Sequence, residues 1–142
     1  MDEYGNNSLP NGIDSLRQDS AGDIYGSAYG NLGGCDETCD PGLLFKLTTT
    51  GVFATLYNFC SLANCADGIN PGNLTLDSKG NIFGENSVGV FKFSSSGMES
   101  TIYSSVSIAY GPGLIIDTTG NLYGATVEGG DGVGNIWKLT KI

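Results

Sequence analysis

The stretch DSAGDIYG at residues 19–26 recurs as DSKGNIFG at 77–84 and as DTTGNLYG at 117–124. A second element with a central lysine follows each copy, and it reads LLFKLT at 43–48, GVFKFS at 89–94 and NIWKLT at 135–140. Its lysines are spaced 46 residues apart, at Lys46, Lys92 and Lys138. A sequence unit that occurs three times with a period of roughly 40 to 50 residues predicts a repeat architecture of the propeller-blade type.

Each copy of the first element opens with Asp-x-x-Gly, which is typical of a hairpin turn. The aspartate can accept hydrogen bonds from the backbone of the turn, and the glycine can adopt a positive φ. A short strand therefore precedes the turn and another follows it. In the lysine strand, two-residue alternation places Phe45 and Leu47 on one face and Lys46 on the other.

A second hairpin follows each of the first two lysine strands. Gly51 and Gly97 each lie five residues beyond the lysine, and a fourth strand after them contains Tyr57 or Tyr103. Four short antiparallel strands per unit are the blade of a β-propeller, and no segment carries a helical 3.6-residue period. The sequence predicts one all-β repeat domain over 1–142. Its parts are a displaced outer strand at 1–9, blade 1 at 10–59, blade 2 at 70–105, and blade 3 at 110–142, which lacks its fourth strand.

The displaced strand is predicted from the two ends of the repeat pattern. Tyr4 precedes the turn at Pro10 as Tyr57 and Tyr103 precede the next units, while the third unit has no strand after Trp137. Because propellers carry roughly four to eight blades, three blades do not close a ring. We therefore expect the last blade to be completed by an N-terminal strand or by a neighbouring copy, in a ring or a filament. A fragment of a longer repeat array is the alternative.

Composition excludes several classes of function. With 15 acidic and 6 basic side chains the net charge is −9, so no basic patch is expected for nucleic acid or for an anionic membrane surface. No run approaches the roughly 18 apolar residues of a membrane span. The net negative charge is otherwise explained by solubility, because like charges keep protein molecules apart.

The four cysteines fall in two close pairs, Cys35 with Cys39 and Cys60 with Cys65. An even number of cysteines in loops favours two disulfides and an oxidising, extracellular or cell-surface location. Three connectivities are open, and local pairing is preferred because each pair brackets a short turn. A zinc site is the alternative, although neither pair has CxxC spacing and the chain contains no histidine.

The stretch LYNFCSLANCADGINPGNLTLDSKGNIFG at 56–84, together with the recurring GNLYG and FKLT, resembles the GloVer-type tandem repeats of secreted or surface bacterial proteins. The resemblance extends from about Asp19 to Leu139. It implies a propeller-like repeat with a small cysteine-bracketed loop, and it implies no established activity. Members of this family usually carry more than three units.

Catalysis has little support in the sequence. The chain has no histidine, GxSxG elbow or P-loop, so we expect no enzyme, no cofactor and no metal. Propeller hydrolases often hold a metal through central carboxylates, but a turn role is favoured for Asp19, Asp77 and Asp117. Loop carboxylates are a calcium alternative without EF-hand spacing, at Asp36, Glu37, Asp40, Asp67 and Asp131.

Two functions from different classes follow. The first is a non-catalytic extracellular structural or adhesive module whose partners are copies of itself. The second is a lectin-like propeller that stacks glycans on aromatic residues, for which the candidates are Tyr29, Tyr110, Tyr123 and Trp137. Core packing between blades is the competing explanation for these aromatics. Asn6 and Asn73 lie in Asn-x-Ser/Thr sequons and are candidate glycosylation sites, although chance occurrence also explains them.

Overall fold

The computed structural model describes residues 12–29, 41–105, 111–126 and 134–140. Within these ranges the chain forms strands and one short 3-10 helix at Ala63–Cys65. The strands are β1 Gly12–Gln18, β2 Ile24–Tyr29, β3 Leu43–Leu47, β4 Phe53–Asn58, β5 Gly72–Leu76, β6 Ile82–Asn86, β7 Gly89–Phe93, β8 Glu99–Ser104, β9 Leu114–Ile116, β10 Leu122–Thr126 and β11 Asn135–Leu139. The all-β prediction is confirmed.

The strands form three antiparallel sheets, each built from consecutive strands. Sheet 1 has the order β1-β2-β3-β4 and sheet 2 has the order β5-β6-β7-β8. Sheet 3 contains β9, β10 and β11 among the described residues, with β10 in the centre. The predicted outer strand at 1–9 lies outside the described residues. In the described part of the chain, no helix is long and apolar enough to cross a membrane.

The first turn of every sheet is held by its aspartate, as the sequence predicts. Asp77 Oδ1 accepts hydrogen bonds from the backbone N–H groups of Lys79 and Asn81, both at 2.9 Å. Asp19 and Asp117 accept the same pair of bonds in their own turns. Gly80 closes the turn with a φ of +80°, in the region that favours glycine.

Glycine in the second strand makes room for an aromatic ring in the third. Gly84 pairs with Phe91 across β6 and β7, and a Cβ on Gly84 would overlap the Phe91 ring. The same arrangement joins Gly26 to Phe45 in sheet 1. The recurring aromatic-Gly pair of the sequence is therefore a packing requirement of each sheet.

The core lies between the sheets. We call the face that carries Phe45, Phe91 or Trp137 the front face of its sheet, and the face that carries Lys46, Lys92 or Lys138 the back face. The back face of sheet 1 packs on the front face of sheet 2 through a cluster that contains Leu44, Leu74, Ile82 and Phe91. The back face of sheet 2 packs on the front face of sheet 3 through Phe83, Val90, Leu114 and Leu122, with Trp137 against them.

A disulfide joins Cys60 to Cys65 in the connection between sheets 1 and 2. This is the local pairing that the sequence predicts for these two cysteines. Asp67 is 1% exposed and fixes the same loop by accepting hydrogen bonds from Tyr57 Oη at 2.7 Å and from Ser61 N at 2.9 Å. Burial alone would raise the pKa of Asp67, but these bonds outweigh it and lower that pKa. Cys35 and Cys39 lie outside the described residues.

Candidate functional site

The front face of sheet 1 is open, although the same face is covered in the other two sheets. Leu16, Leu74 and Leu114 occupy equivalent positions, each beside the glycine of the second strand. Leu74 is 0% exposed and Leu114 is 5% exposed, whereas Leu16 is 49% exposed. The difference arises because a preceding sheet covers Leu74 and Leu114, while no described residue covers Leu16 in this way.

The back face of sheet 3 is open for the corresponding reason. Leu44, Val90 and Ile136 are equivalent residues of the lysine strands, each two residues before the lysine. Leu44 and Val90 are both 0% exposed because the following sheet covers them, whereas Ile136 is 85% exposed. Ile115 is 69% exposed on β9, on the other side of β10 in the same sheet. This face therefore presents branched aliphatic side chains to solvent.

The two open faces are of the two kinds that pack together inside the chain. Each internal junction joins a back face to a front face, and the described chain leaves one further back face and one further front face uncovered.

A lysine lies over an aromatic ring on the back face of each sheet. Lys46 lies 5.1 Å from the ring centroid of Tyr25, Lys92 lies 5.7 Å from that of Phe83, and Lys138 lies 5.3 Å from that of Tyr123. Each pair is a direct cross-strand pair, in which the ring faces an ammonium group. The sequence places the lysine on this face. The sequence analysis did not identify the aromatic partner of the lysine. The constant number of residues between the turn aspartate and this aromatic residue, in all three copies, could have identified it.

The lysines differ in their charged partners. Lys46 Nζ lies 2.8 Å from Asp23 Oδ2, and this hydrogen bond raises the pKa of Lys46 and lowers that of Asp23. In the next sheet Asn81 takes the place of Asp23, and its Nδ2 donates to Asp77 Oδ2 at 2.7 Å instead. Across the described ranges, neither Lys92 nor Lys138 has a carboxylate within ion-pair distance.

A groove of about 660 Å³ lies between the first turns of sheets 2 and 3. Lys92 and Phe83 line it from the back face of sheet 2, and Ile116 lines it from β9. Polar side chains of the two turns complete the lining, and they include Ser78, Lys79, Thr118 and Thr119. The groove therefore brings an ammonium group that has no ion-pair partner among the described residues together with hydroxyls and a small apolar surface.

The remaining candidates of the sequence do not converge on one site. Trp137 is half-buried against the core between sheets 2 and 3, and Tyr29 is 40% exposed at the end of β2. Asp19, Asp77 and Asp117 each serve a separate turn. In the ranges that the structure describes, no group of three metal-ligating side chains comes together. The candidates outside these ranges are Asn6, Asp36, Glu37, Asp40, Tyr110 and Asp131.

Asn73 has both hydrogens of its side-chain amide in use. Its Nδ2 donates to Glu85 Oε2 and to the carbonyl oxygen of Gly111, each at 2.6 Å. Burial raises the pKa of the Glu85 carboxyl, and the bond from Asn73 opposes that shift. A glycan on this nitrogen would displace at least one of these partners in the folded chain.

Solved structures similar to this chain are β-propeller proteins. No model of a known protein family matches the chain, and no curated protein sequence matches it. Virginiamycin B lyase from Staphylococcus aureus superposes with a TM-score of 0.60 at 13% identity, over 94% of this chain and 44% of that protein. A streptogramin B lyase structure superposes with a TM-score of 0.61 at 13% identity, over 94% of this chain and 43% of that protein.

A protein described as a gluconolactonase gives a TM-score of 0.57 at 16% identity, over 97% of this chain and 51% of its own. The fold is propeller-like. Identities this low establish the fold and not the activity of the enzymes that share it. The chain spans about half the length of these structures or somewhat less.

Proposed function

We propose that this chain is a non-catalytic, extracellular structural or adhesive repeat module that completes a propeller by association with copies of itself. The observation behind this proposal is the contrast between equivalent residues: Val90 is 0% exposed inside the chain, whereas Ile136 is 85% exposed on the open back face. A second copy presents the front face that would cover it. The resemblance to GloVer-type repeats and the Cys60–Cys65 disulfide support the extracellular location.

We expect a ring of two copies rather than a filament. This chain superposes on 43% to 51% of individual chains of β-propeller proteins, so its sheets follow the curvature of about half such a chain. Two copies would supply six sheets, which is within the range of roughly four to eight blades seen in propellers. A closed ring leaves no open face, whereas a filament leaves one at each end.

The fourth strand of sheet 3 is part of the same proposal. Tyr57 and Tyr103 lie in the fourth strands of sheets 1 and 2, and Tyr4 has the equivalent place before its own turn. We propose that residues 1–9 pair with the edge of β11 that no described strand covers, within the ring, on the same or the neighbouring copy. Backbone pairing there would satisfy edge groups that otherwise invite aggregation.

Sedimentation equilibrium over a wide range of concentrations tests this proposal. We expect a species of twice the chain mass of 14.7 kDa, and its dissociation constant should rise when residues 1–8 are deleted. Long polymers in negative-stain images would show the filament built from the same faces. A protein that remains monomeric at the highest soluble concentration would overturn the proposal.

A further inference from the structure

The groove between sheets 2 and 3 contains a cation that forms no ion pair with any carboxylate of the described residues. The ammonium group of Lys92 lies over the ring of Phe83, which is 1% exposed, and the Lys92 side chain lines the groove. The equivalent Lys46 of sheet 1 forms an ion pair with Asp23. The same strand position therefore holds a lysine with an ion pair in one sheet and, within the described part of the chain, a lysine without one in the next.

The difference comes from one side-chain atom. Asp23 Oδ1 accepts a hydrogen bond from Thr49 N at 3.0 Å, and Asn81 Oδ1 accepts the same bond from Ser95 N at 3.0 Å. The second atom is a carboxylate oxygen in Asp23 and an amide nitrogen in Asn81. Because an amide nitrogen is a donor, it cannot accept a hydrogen bond from Lys92, and it donates to Asp77 instead.

We propose that this groove binds a carboxylate-bearing saccharide, with the carboxylate on Lys92 and the sugar hydroxyls on the polar groups of the two turns. A volume of about 660 Å³ is far larger than a lone carboxylate needs, and it is in the range of roughly 300–1,000 Å³ of small-molecule sites. Ser78 and Thr118 supply hydroxyl groups to the lining, and Ile116 supplies an apolar surface.

The charges around the groove favour a ligand with one anionic group over a polyanion. Asp77 and Asp117 also line the groove. Hydrogen bonds from Asn121 hold the pKa of Asp117 well below its usual range, so this carboxylate stays ionised. A net charge of −9 adds a repulsive field. A uronic acid unit has one carboxylate and several hydroxyls, which matches this balance.

Calorimetric titration with a short oligosaccharide of galacturonic acid tests the proposal, with the neutral galactose oligosaccharide of equal length as the comparison. We expect the acidic sugar to bind at least tenfold more tightly, because a charge-assisted hydrogen bond is roughly twice as strong as a neutral one. Backbone amide shifts at 78–81 and 117–120 should report the binding. Equal affinity for the two sugars, or no binding of the acidic one, would overturn the proposal.

Asn81→Asp is the decisive variant because it copies the neighbouring sheet. Asp23 shows that this turn tolerates an aspartate there, so we expect the variant to fold. The new carboxylate should pair with Lys92 and lower the affinity for the acidic sugar about tenfold. The Lys92→Gln variant should bind the acidic sugar with a similarly reduced affinity. Lys46→Gln is the matched control and should bind normally. Unchanged affinity in both groove variants would refute the site, while the mass of the particle would still test self-association separately.

Discussion

Replacing Ile136 by alanine should weaken self-association strongly and leave the single chain nearly as stable as before. The side chain is 85% exposed in the chain described here, and its equivalents Leu44 and Val90 are fully buried in the internal junctions. The substitution removes three carbon atoms, each worth about 0.8 kcal/mol when buried, so each intermolecular junction should lose about 2.4 kcal/mol. The folded monomer should lose little, because it buries little of this side chain.

The two assemblies respond to this change by different amounts. A closed ring of two copies contains the junction twice and should lose about 5 kcal/mol, which raises the dissociation constant more than a thousandfold. A filament loses one junction per link, so its elongation constant should fall by roughly fiftyfold. Sedimentation across a dilution series measures either constant.

Met98→Ala is the matched control for this experiment. Met98 is 71% exposed but lies in the turn between β7 and β8, away from both open faces. This control should leave the dissociation constant unchanged, and urea unfolding of the dilute monomers should give similar free energies for both variants. The reasoning fails if Ile136→Ala dissociates no more readily than Met98→Ala.

Three further predictions concern the stability of the chain. Replacing Cys60 and Cys65 by serine should lower the free energy of unfolding by about 2 kcal/mol, because the unfolded chain loses a small closed loop. In urea unfolding, the wild-type protein with this disulfide reduced should have the same free energy of unfolding as the variant. Burial raises the pKa of Glu99 from 4.5 to about 7, so the folded chain binds this proton more tightly than the unfolded chain does. Its stability should therefore fall as the pH rises from about 4.5 to about 7, and Glu99→Gln should flatten that part of the pH profile. Gly84→Ala places a Cβ against the Phe91 ring and should cost roughly 1–3 kcal/mol in thermal or urea unfolding, whereas an unchanged midpoint would contradict the packing role of this glycine.

The sequence was sufficient for the features that depend on local chemistry. The turn at Asp77 and Gly80 is fixed by hydrogen bonds within four residues, so the pattern Asp-x-x-Gly identifies it without tertiary information. The face of Lys46 follows from strand alternation, and the disulfide between Cys60 and Cys65 follows from close spacing. These predictions needed no knowledge of which sheets are neighbours.

The candidate surfaces could not be predicted because they depend on what covers each sheet. Leu16, Leu74 and Leu114 are the same residue in the same motif, yet Leu16 is half exposed and the other two are buried. No property of the leucine itself separates them. The ion pair of Lys46 with Asp23 was missed for a related reason, since it joins β3 to the turn before β2, and the register of these strands was not worked out.

The build of each sheet from consecutive strands has a consequence for how the protein forms. Every strand pair in the described ranges joins strands that follow one another in the chain, so each sheet can form without pairing to a strand of another sheet. During synthesis from the N-terminus, sheet 1 would be complete once Asn58 has left the ribosome, before sheet 2 has been made. A chain that stops at Ser105 would already contain two finished sheets and the first junction, which makes it the shortest N-terminal portion in which refolding of a junction can be timed.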